Sequence, residues 1–135
     1  MADVKGAGSL YERLGDAVIR EAITRFYERA FTDGIIGHFC FGFDRAEITA
    51  AQIDFATAML GGPRRYRGKP LETAHRPFHI AVPHFRRRQR MMAEVLDELG
   101  VEAELRDGWL RLEENLRPLI MGTADSASCQ PPAAE

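Results

Sequence analysis

The stretch GGPRRYRGKPLETAHRPFHIAVPHF, residues 61–85, decides the fold, because helical patterns lie on both sides of it and it cannot itself be one long helix. Four prolines lie within it, and proline lacks the N–H that a helix interior needs. Three of the chain's four histidines are here, and His75 sits on a short apolar segment between two of these breaks. A broken segment that carries imidazoles indicates a ligand presented from a short element into a cavity.

The composition limits the class of protein. The chain has 135 residues, of which 45% are hydrophobic and 28% are charged, as is usual for one globular domain. Its formal net charge of -2 gives no reason to expect nucleic acid or a membrane as a partner. The two cysteines, Cys40 and Cys129, are far apart, so we expect no disulfide and a reducing compartment. No leader or apolar run of about 18 residues is evident, and we predict a soluble cytoplasmic protein.

Helical periodicity covers most of the remaining chain. We predict a short helix capped by Ser9, a helical turn near 34–39, and long helices over about 17–32, 44–60, 83–99 and 102–121. Pro118 is expected to kink the last helix or end it early. No partner strands are evident, so we predict an all-α domain over residues 9–121. Residues 1–8 are expected to be flexible, and residues 122–135 have the composition of a disordered tail.

Two polar residues interrupt the apolar faces of these helices. Tyr27 lies in the apolar stripe of helix 17–32, and Gln52 lies one turn after Ile48 in that of helix 44–60. A buried tyrosine hydroxyl needs a hydrogen-bond partner, which is either a core backbone carbonyl or a bound ligand. Gln52 is either a satisfied core amide or a second donor that faces the same cavity.

A run of arginines begins the helix after Pro83. Arg86, Arg87, Arg88 and Arg90 suggest a basic patch, but acidic residues follow one and two turns later. We therefore interpret the run as a solvated helix face whose charges pair along the same helix. Arg88 falls at the edge of the apolar stripe, where a long side chain can extend to water.

The histidines and cysteines do not suit a zinc site or a cysteine hydrolase. His75 and His79 have helical spacing, but Pro77 lies between them and no third ligand is apparent. Cys40 lies among phenylalanines, an apolar setting that disfavours a reactive thiolate. Haem with one protein ligand fits better, because it requires one imidazole, a large apolar slot and few polar groups opposite the iron.

On this hypothesis His75 binds the iron, while Tyr27 and Gln52 lie on the opposite side. His79 and His84 are the competing ligands, and are otherwise helix-end or surface residues. The apolar slot is assigned to Phe39, Phe41, Phe55, Phe78, Phe85, Leu71 and Ile48. The haem propionates are expected to pair at the rim with Arg64, Arg65, Tyr66 and Arg67.

The order of these residues resembles the truncated haemoglobins, in particular the group I type. The matching features are Phe26-Tyr27, Gln52, Phe55, Gly61-Gly62-Pro63, Tyr66-x-Gly68, Leu71-x-x-x-His75 and His84-Phe85, within about residues 10–120. The resemblance implies a shortened globin fold, with helices stacked two over two around haem b. It implies that His75 is the proximal ligand, Tyr27 the main distal hydrogen-bond donor and Gln52 its partner. Ile48 falls at the distal gate, where an aliphatic side chain packs without hydrogen bonding.

The corner that packs on the haem face departs from the family pattern. Two adjacent aromatic residues are usual there, and this chain has Phe39-Cys40. The residue that contacts the haem is therefore Phe39, Phe41 after a local shift, or Cys40.

Three functions share such a site. The one we predict is reversible binding of dioxygen, as in oxygen transport, and of other diatomic ligands such as nitric oxide and carbon monoxide. The alternatives are a nitric oxide dioxygenase that depends on a separate reductase, and a gas or redox sensor. A haem-free helical interaction module is the hypothesis from another class. We assign no catalytic residue.

Overall fold

Helices are the only regular elements in residues 8–64 and 80–121, which are the residues that the computed structural model describes. In chain order they are α1 (Leu10–Leu14), α2 (Asp16–Ala30), a 3₁₀ helix (Gly37–Cys40), α3 (Arg45–Met59), α4 (Val82–Glu98), α5 (Ala103–Asn115) and α6 (Arg117–Met121). The predicted all-α class is confirmed. His75 lies outside the described residues, as do residues 1–7 and 122–135, on which the predictions of a flexible N-terminus and a disordered tail fall. No described helix is long and apolar enough to cross a membrane.

Local capping sets the first helix boundaries as predicted. The Ser9 hydroxyl accepts a hydrogen bond from the Glu12 N–H (3.1 Å), and the Glu12 carboxylate accepts one from the Ser9 N–H (3.4 Å), which completes a capping box. Asp44 caps α3 by accepting from the Glu47 N–H at 2.9 Å. α2 begins one residue before the predicted range, at Asp16, and Gly15 takes the cap position with φ of 91°.

The predicted last helix is divided in two at Leu116. Pro118 has no N–H to donate, and its ring crowds the carbonyl four residues earlier, so a continuous helix is unfavourable at this point. The Leu116 N–H instead bonds the Glu113 carbonyl (3.0 Å) in a tight turn, and the chain resumes as α6. Beyond the break, Ile120 lines a cavity that Phe85 of α4 also lines.

The core lies between two pairs of helices. α2 packs on α3, α4 packs on α5, and the two pairs meet mainly through α2 and α4. Trp109 of α5 is completely buried against this junction. The other large buried side chains are Ile19, Phe26, Phe85, Met91, Met92, Val95 and Leu96. These two packed pairs match the two-over-two arrangement that the resemblance to the truncated haemoglobins implies.

The short helix α1 holds the end of α3. The Tyr11 N–H donates to the Leu60 carbonyl at 2.9 Å. A Cβ at Gly62 would lie 2.7 Å from the Tyr11 ring and 2.8 Å from the Thr57 methyl, so only glycine allows this close approach. The contact therefore fixes where the chain leaves α3 toward residues 65–79.

Asp33 joins the turn after α2 to α4. Its carboxylate accepts hydrogen bonds from the backbone N–H groups of Ile35 (2.9 Å) and Ile36 (3.1 Å), and from the Arg87 guanidinium (2.7 Å). The Arg87 hydrogen bond is the main reason that the pKa of Asp33 is lowered to about 2. The ionised carboxylate thus stabilises the turn that leads into the 3₁₀ helix.

We expect Asp33→Asn to lower the free energy of unfolding by about 1–2 kcal/mol at pH 7, with Arg87's partial exposure limiting the effect. Because folding lowers the pKa of Asp33, its contribution is complete above pH ~4 and is lost as the pH falls through about 2. Urea unfolding at several pH values checks this, and the two proteins should converge near pH 2. Glu94→Gln, which breaks the exposed pair with Arg90, is the control and should cost under ~0.5 kcal/mol. A difference between wild type and Asp33→Asn that does not depend on pH contradicts the assignment.

Candidate functional site

A cavity of about 500 Å³ opens between α2, α3 and α4, within the range of small-molecule and cofactor sites. We refer to it as the main cavity. Its apolar wall includes Phe26, Phe39, Ile48, Ile80, Phe85 and Ile120. Its polar groups include Tyr27, Gln52, His84 and Arg88. A mostly apolar cavity with a few hydrogen-bond donors suits a large flat ligand to which a second, small polar ligand is bound.

The structure brings five of the predicted site residues together. Tyr27 of α2 and Gln52 of α3 face the main cavity, although they come from different helices. Ile48, one turn before Gln52, lies beside them, and Phe39 and Phe85 line other parts of the wall. The two polar interruptions of apolar stripes therefore converge on one space.

Two predicted residues do not reach this cavity. Phe41 is 81% exposed, because the chain leaves the 3₁₀ helix in an extended conformation and turns its ring to solvent. Of the three corner candidates, Phe39 and Cys40 line the cavity and Phe41 does not. Phe55 lies two helical turns beyond Ile48, about 10 Å further along α3. There it lines a second cavity of about 360 Å³ near the end of α5.

Five further predicted residues lie outside the described ranges. These are the proposed iron ligand His75 and its neighbours Arg65, Tyr66, Leu71 and Phe78. Arg64 is described, and it lines the second cavity beside Phe55.

Tyr27 presents a protonated phenol to the main cavity. Its ring packs edge-on against Phe26 (5.0 Å between centroids) and Phe31 (6.5 Å). Burial raises the pKa of Tyr27 to about 12, although the nearby positive charge of Arg88 offsets part of that rise. The hydroxyl therefore keeps its hydrogen at neutral pH and can donate it.

Arg88 is the site residue whose position the sequence interpretation missed. Its charge does not pair along α4. Its Nη1 lies 2.7 Å from a carboxylate oxygen of Glu113 on α5, and its Cζ lies 4.9 Å from the centre of the Phe26 ring. It also lies close enough to Tyr27 for each group to shift the pKa of the other. The available signal was spacing, because Arg88 lies three residues after Phe85, and Glu113 four after Trp109, in two apolar stripes.

Two side chains other than Arg88 donate hydrogen bonds to the Glu113 carboxylate. The Trp109 indole N–H donates to one carboxylate oxygen (2.8 Å), and the Gln89 amide donates to the other (3.2 Å). Only 6% of the Glu113 side chain is exposed. A carboxylate this buried is usually paired and hydrogen-bonded, as this one is.

His84 lies at the start of α4 and also lines the main cavity. Its Nδ1 accepts a hydrogen bond from the Ala81 N–H at 2.9 Å, so this ring helps to cap the helix, as a helix-end histidine does. The ring packs on Phe39 at 4.9 Å. Burial and the nearby His38 lower the pKa of His84, which therefore favours the neutral imidazole.

Comparison with known proteins identifies the family to which the chain belongs. The family model described as Bacterial-like globin matches residues 9–121. A Group 1 truncated hemoglobin of Tetrahymena pyriformis is 31% identical over 115 residues, which are 84% of this chain and 95% of that protein. The Group 1 truncated hemoglobin GlbN of Synechocystis is 32% identical over 102 residues, which are 72% of this chain and 82% of that protein.

Solved structures agree with the sequence relatives. The truncated hemoglobin of Tetrahymena pyriformis in its Fe(III) form has a TM-score of 0.81 and 31% identity, covering 85% of this chain and 99% of that one. The truncated oxygen-avid haemoglobin of Bacillus subtilis has a TM-score of 0.74 and 30% identity, covering 84% and 99%. The chain therefore belongs to the bacterial-like globin family. Within it the chain is a truncated haemoglobin, and the predicted resemblance to the group I type is confirmed. Membership implies haem and the binding of gaseous ligands.

Proposed function

We propose that the chain binds haem b in the main cavity through His75 and holds dioxygen reversibly against Tyr27 and Gln52. One observation carries this proposal. Tyr27 and Gln52 come from separate helices, and both line the same mostly apolar cavity. Nitric oxide and carbon monoxide are less polar ligands that are proposed to bind at the same position as dioxygen.

The residues of the main cavity fit a haem group. The cavity has the volume of a cofactor site, aromatic and aliphatic walls suit a porphyrin, and the polar groups are few. When bound, haem supplies an iron that takes a diatomic gas and shifts partial negative charge onto dioxygen. His75 is proposed as the single protein ligand of that iron.

The chain's own side chains then distinguish between gases. The Tyr27 hydroxyl donates a hydrogen bond, which is worth about 1.5–3 kcal/mol to a charged acceptor and about 0.5–1.5 kcal/mol to a neutral one. Gln52 supplies a second amide donor, while Ile48 excludes water without bonding the ligand. Dioxygen therefore gains more from this cavity than carbon monoxide does.

Other functions of the same cavity stay alternatives. A nitric oxide dioxygenase with a separate reductase and a gas or redox sensor both need the same haem and donors. No contact within residues 8–64 and 80–121 favours either over oxygen binding. The cytoplasmic location stays a prediction from the cysteine pattern.

The experiment that tests the distal role is Tyr27→Phe. We expect it to speed dioxygen dissociation about tenfold or more, because the lost hydrogen bond is worth at least ~1.4 kcal/mol. Stopped-flow displacement of dioxygen by carbon monoxide measures the rate. Tyr11→Phe is the matched control, since Tyr11 packs against Gly62 away from the main cavity. An oxygen off-rate that stays at the wild-type value in Tyr27→Phe would remove Tyr27 from this role.

A further inference from the structure

We propose that Arg88 makes the main cavity a binding site for small inorganic anions, held between its guanidinium and the Tyr27 hydroxyl. The inference rests on the proposed function, because the anion would share the cavity with the haem and bind on the Tyr27 side. Azide and nitrite represent the class: compact, singly charged and able only to accept hydrogen bonds. Neutral diatomic gases do not need a fixed positive charge, so Arg88 adds a preference that oxygen binding does not explain.

Arg88 is a cation fixed in the wall of the cavity. Its side chain is 24% exposed, and its guanidinium is anchored over the Phe26 ring at 4.9 Å. Burial alone would lower the pKa of Arg88, but Glu113 and Tyr27 more than offset that effect and raise it. The guanidinium is therefore charged at neutral pH.

The ion pair with Glu113 is oriented, with its positive end toward the cavity. Arg88 lines the cavity and Glu113 does not. Glu113 is held on α5 by the Trp109 indole at 2.8 Å and the Gln89 amide at 3.2 Å. An anion in the cavity is therefore nearer to the guanidinium than to the carboxylate, so attraction exceeds repulsion.

The hydrogen-bonding capacity of Arg88 and Tyr27 also favours an anion in the cavity. A guanidinium can only donate, so Arg88 cannot accept the hydroxyl hydrogen of Tyr27, which is left to be donated elsewhere. No residue within 8–64 and 80–121 is recorded as accepting that hydrogen. Arg88 Nη1 is buried and is occupied by Glu113, whose carboxylate oxygen lies 2.7 Å away. The Tyr27 hydroxyl thus remains a donor beside a fixed positive charge, an arrangement that an acceptor-only anion would satisfy.

The other charged residues of the cavity wall oppose this effect only weakly. Asp44 and Glu47 line the cavity at the start of α3, where both are exposed. Their charges are screened by water and salt over a short distance. His84 faces the cavity as a mainly neutral ring. The charge nearest Tyr27 is therefore that of Arg88.

The test titrates the ferric haem-bound protein with azide and with nitrite, and follows the haem absorption to obtain each Kd. In Arg88→Met we expect both anions to bind about tenfold to a hundredfold more weakly. Arg88→Lys keeps the charge and should recover part of the affinity. Carbon monoxide binding to the ferrous protein is the neutral control and should change less than about threefold.

Removing the charge of Glu113 is expected to change anion affinity in the opposite direction. Glu113→Gln keeps an acceptor for Trp109 but removes the opposing charge, so anion affinity should rise severalfold. The double variant Arg88→Met/Glu113→Gln removes both charges, which avoids leaving Glu113 buried alone if the single Arg88 variant folds poorly. It should bind the anions as weakly as Arg88→Met does. Anion-induced protection against thermal unfolding is a second measurement and should follow the same order.

The outcomes separate this inference from the proposed function. Wild-type anion affinity in both Arg88→Met and the double variant overturns the inference, while haem retention and carbon monoxide binding leave the proposed function intact. Weakened binding of azide and carbon monoxide alike also overturns it, because charge would then not be the cause. A wild-type protein that takes up no haem overturns the proposed function and this inference with it.

Discussion

His75→Gly is expected to give a protein that loses haem during purification or retains it only with added imidazole. The reason is that His75 is the proposed single bond between the chain and the iron, and glycine leaves a space that free imidazole can fill. The measurement is the Soret absorbance per chain after desalting, with and without imidazole. Normal retention with an unchanged spectrum would show that another residue binds the iron.

His84→Gln is the matched control for that experiment. His84 is the histidine that the described residues place in the wall of the main cavity, so it is the main rival as iron ligand. Glutamine at this position of α4 can still accept from the Ala81 N–H, which preserves the helix start. We expect normal haem content. Loss of haem from this variant, with retention in His75→Gly, would transfer the role to His84. A wild-type protein with no Soret band would instead favour the haem-free interaction module.

Glu113→Ala is expected to lower the free energy of unfolding by about 3–5 kcal/mol, a large fraction of the stability of a small domain. The substitution leaves the Arg88 cation buried without its counter-ion and leaves the Trp109 indole N–H without its acceptor. Both groups keep the cost of removal from water and lose the interaction that offset it. Urea unfolding of the purified protein, followed by far-UV circular dichroism, measures the change.

Glu114→Ala, at the next residue, is the control for this change. Glu114 pairs with Arg117 at 2.9 Å, but its side chain is 48% exposed, so its loss should cost under ~1 kcal/mol. Glu113→Gln should fall between the two, because its amide oxygen can still accept from Trp109. Equal stabilities for the alanine variants at 113 and 114 would refute a structural role for the buried pair.

Much of the fold was predictable because the signals are local. Ser9 with Glu12, and Asp44 ahead of Glu47, mark helix starts through contacts within one turn. Pro118 ended a helix for a reason contained in its own ring. Tyr27 and Gln52 were recognisable as polar residues on apolar stripes, and helical periodicity alone is enough to place each of them on an inward face.

Other parts of the site depend on contacts between distant segments, which local patterns do not contain. Arg88 looked like part of a solvated basic run until α5 brought Glu113 within 2.7 Å of it. Phe39 and Phe41 are equivalent in an alternating pattern, and only the way the chain leaves the 3₁₀ helix separates an inward ring from an exposed one. Phe55 shares a helix face with Ile48, yet its position along α3 takes it to a different cavity.

The pairing of Arg88 with Glu113 also has an evolutionary consequence. Losing one charge alone is costly, whereas exchanging both for apolar side chains of similar size is often neutral or even stabilising. Folding stability therefore gives natural selection no reason to preserve the two residues, only a reason to replace them together. Homologues that retain both charges after long divergence would therefore indicate selection for binding a molecule in the main cavity.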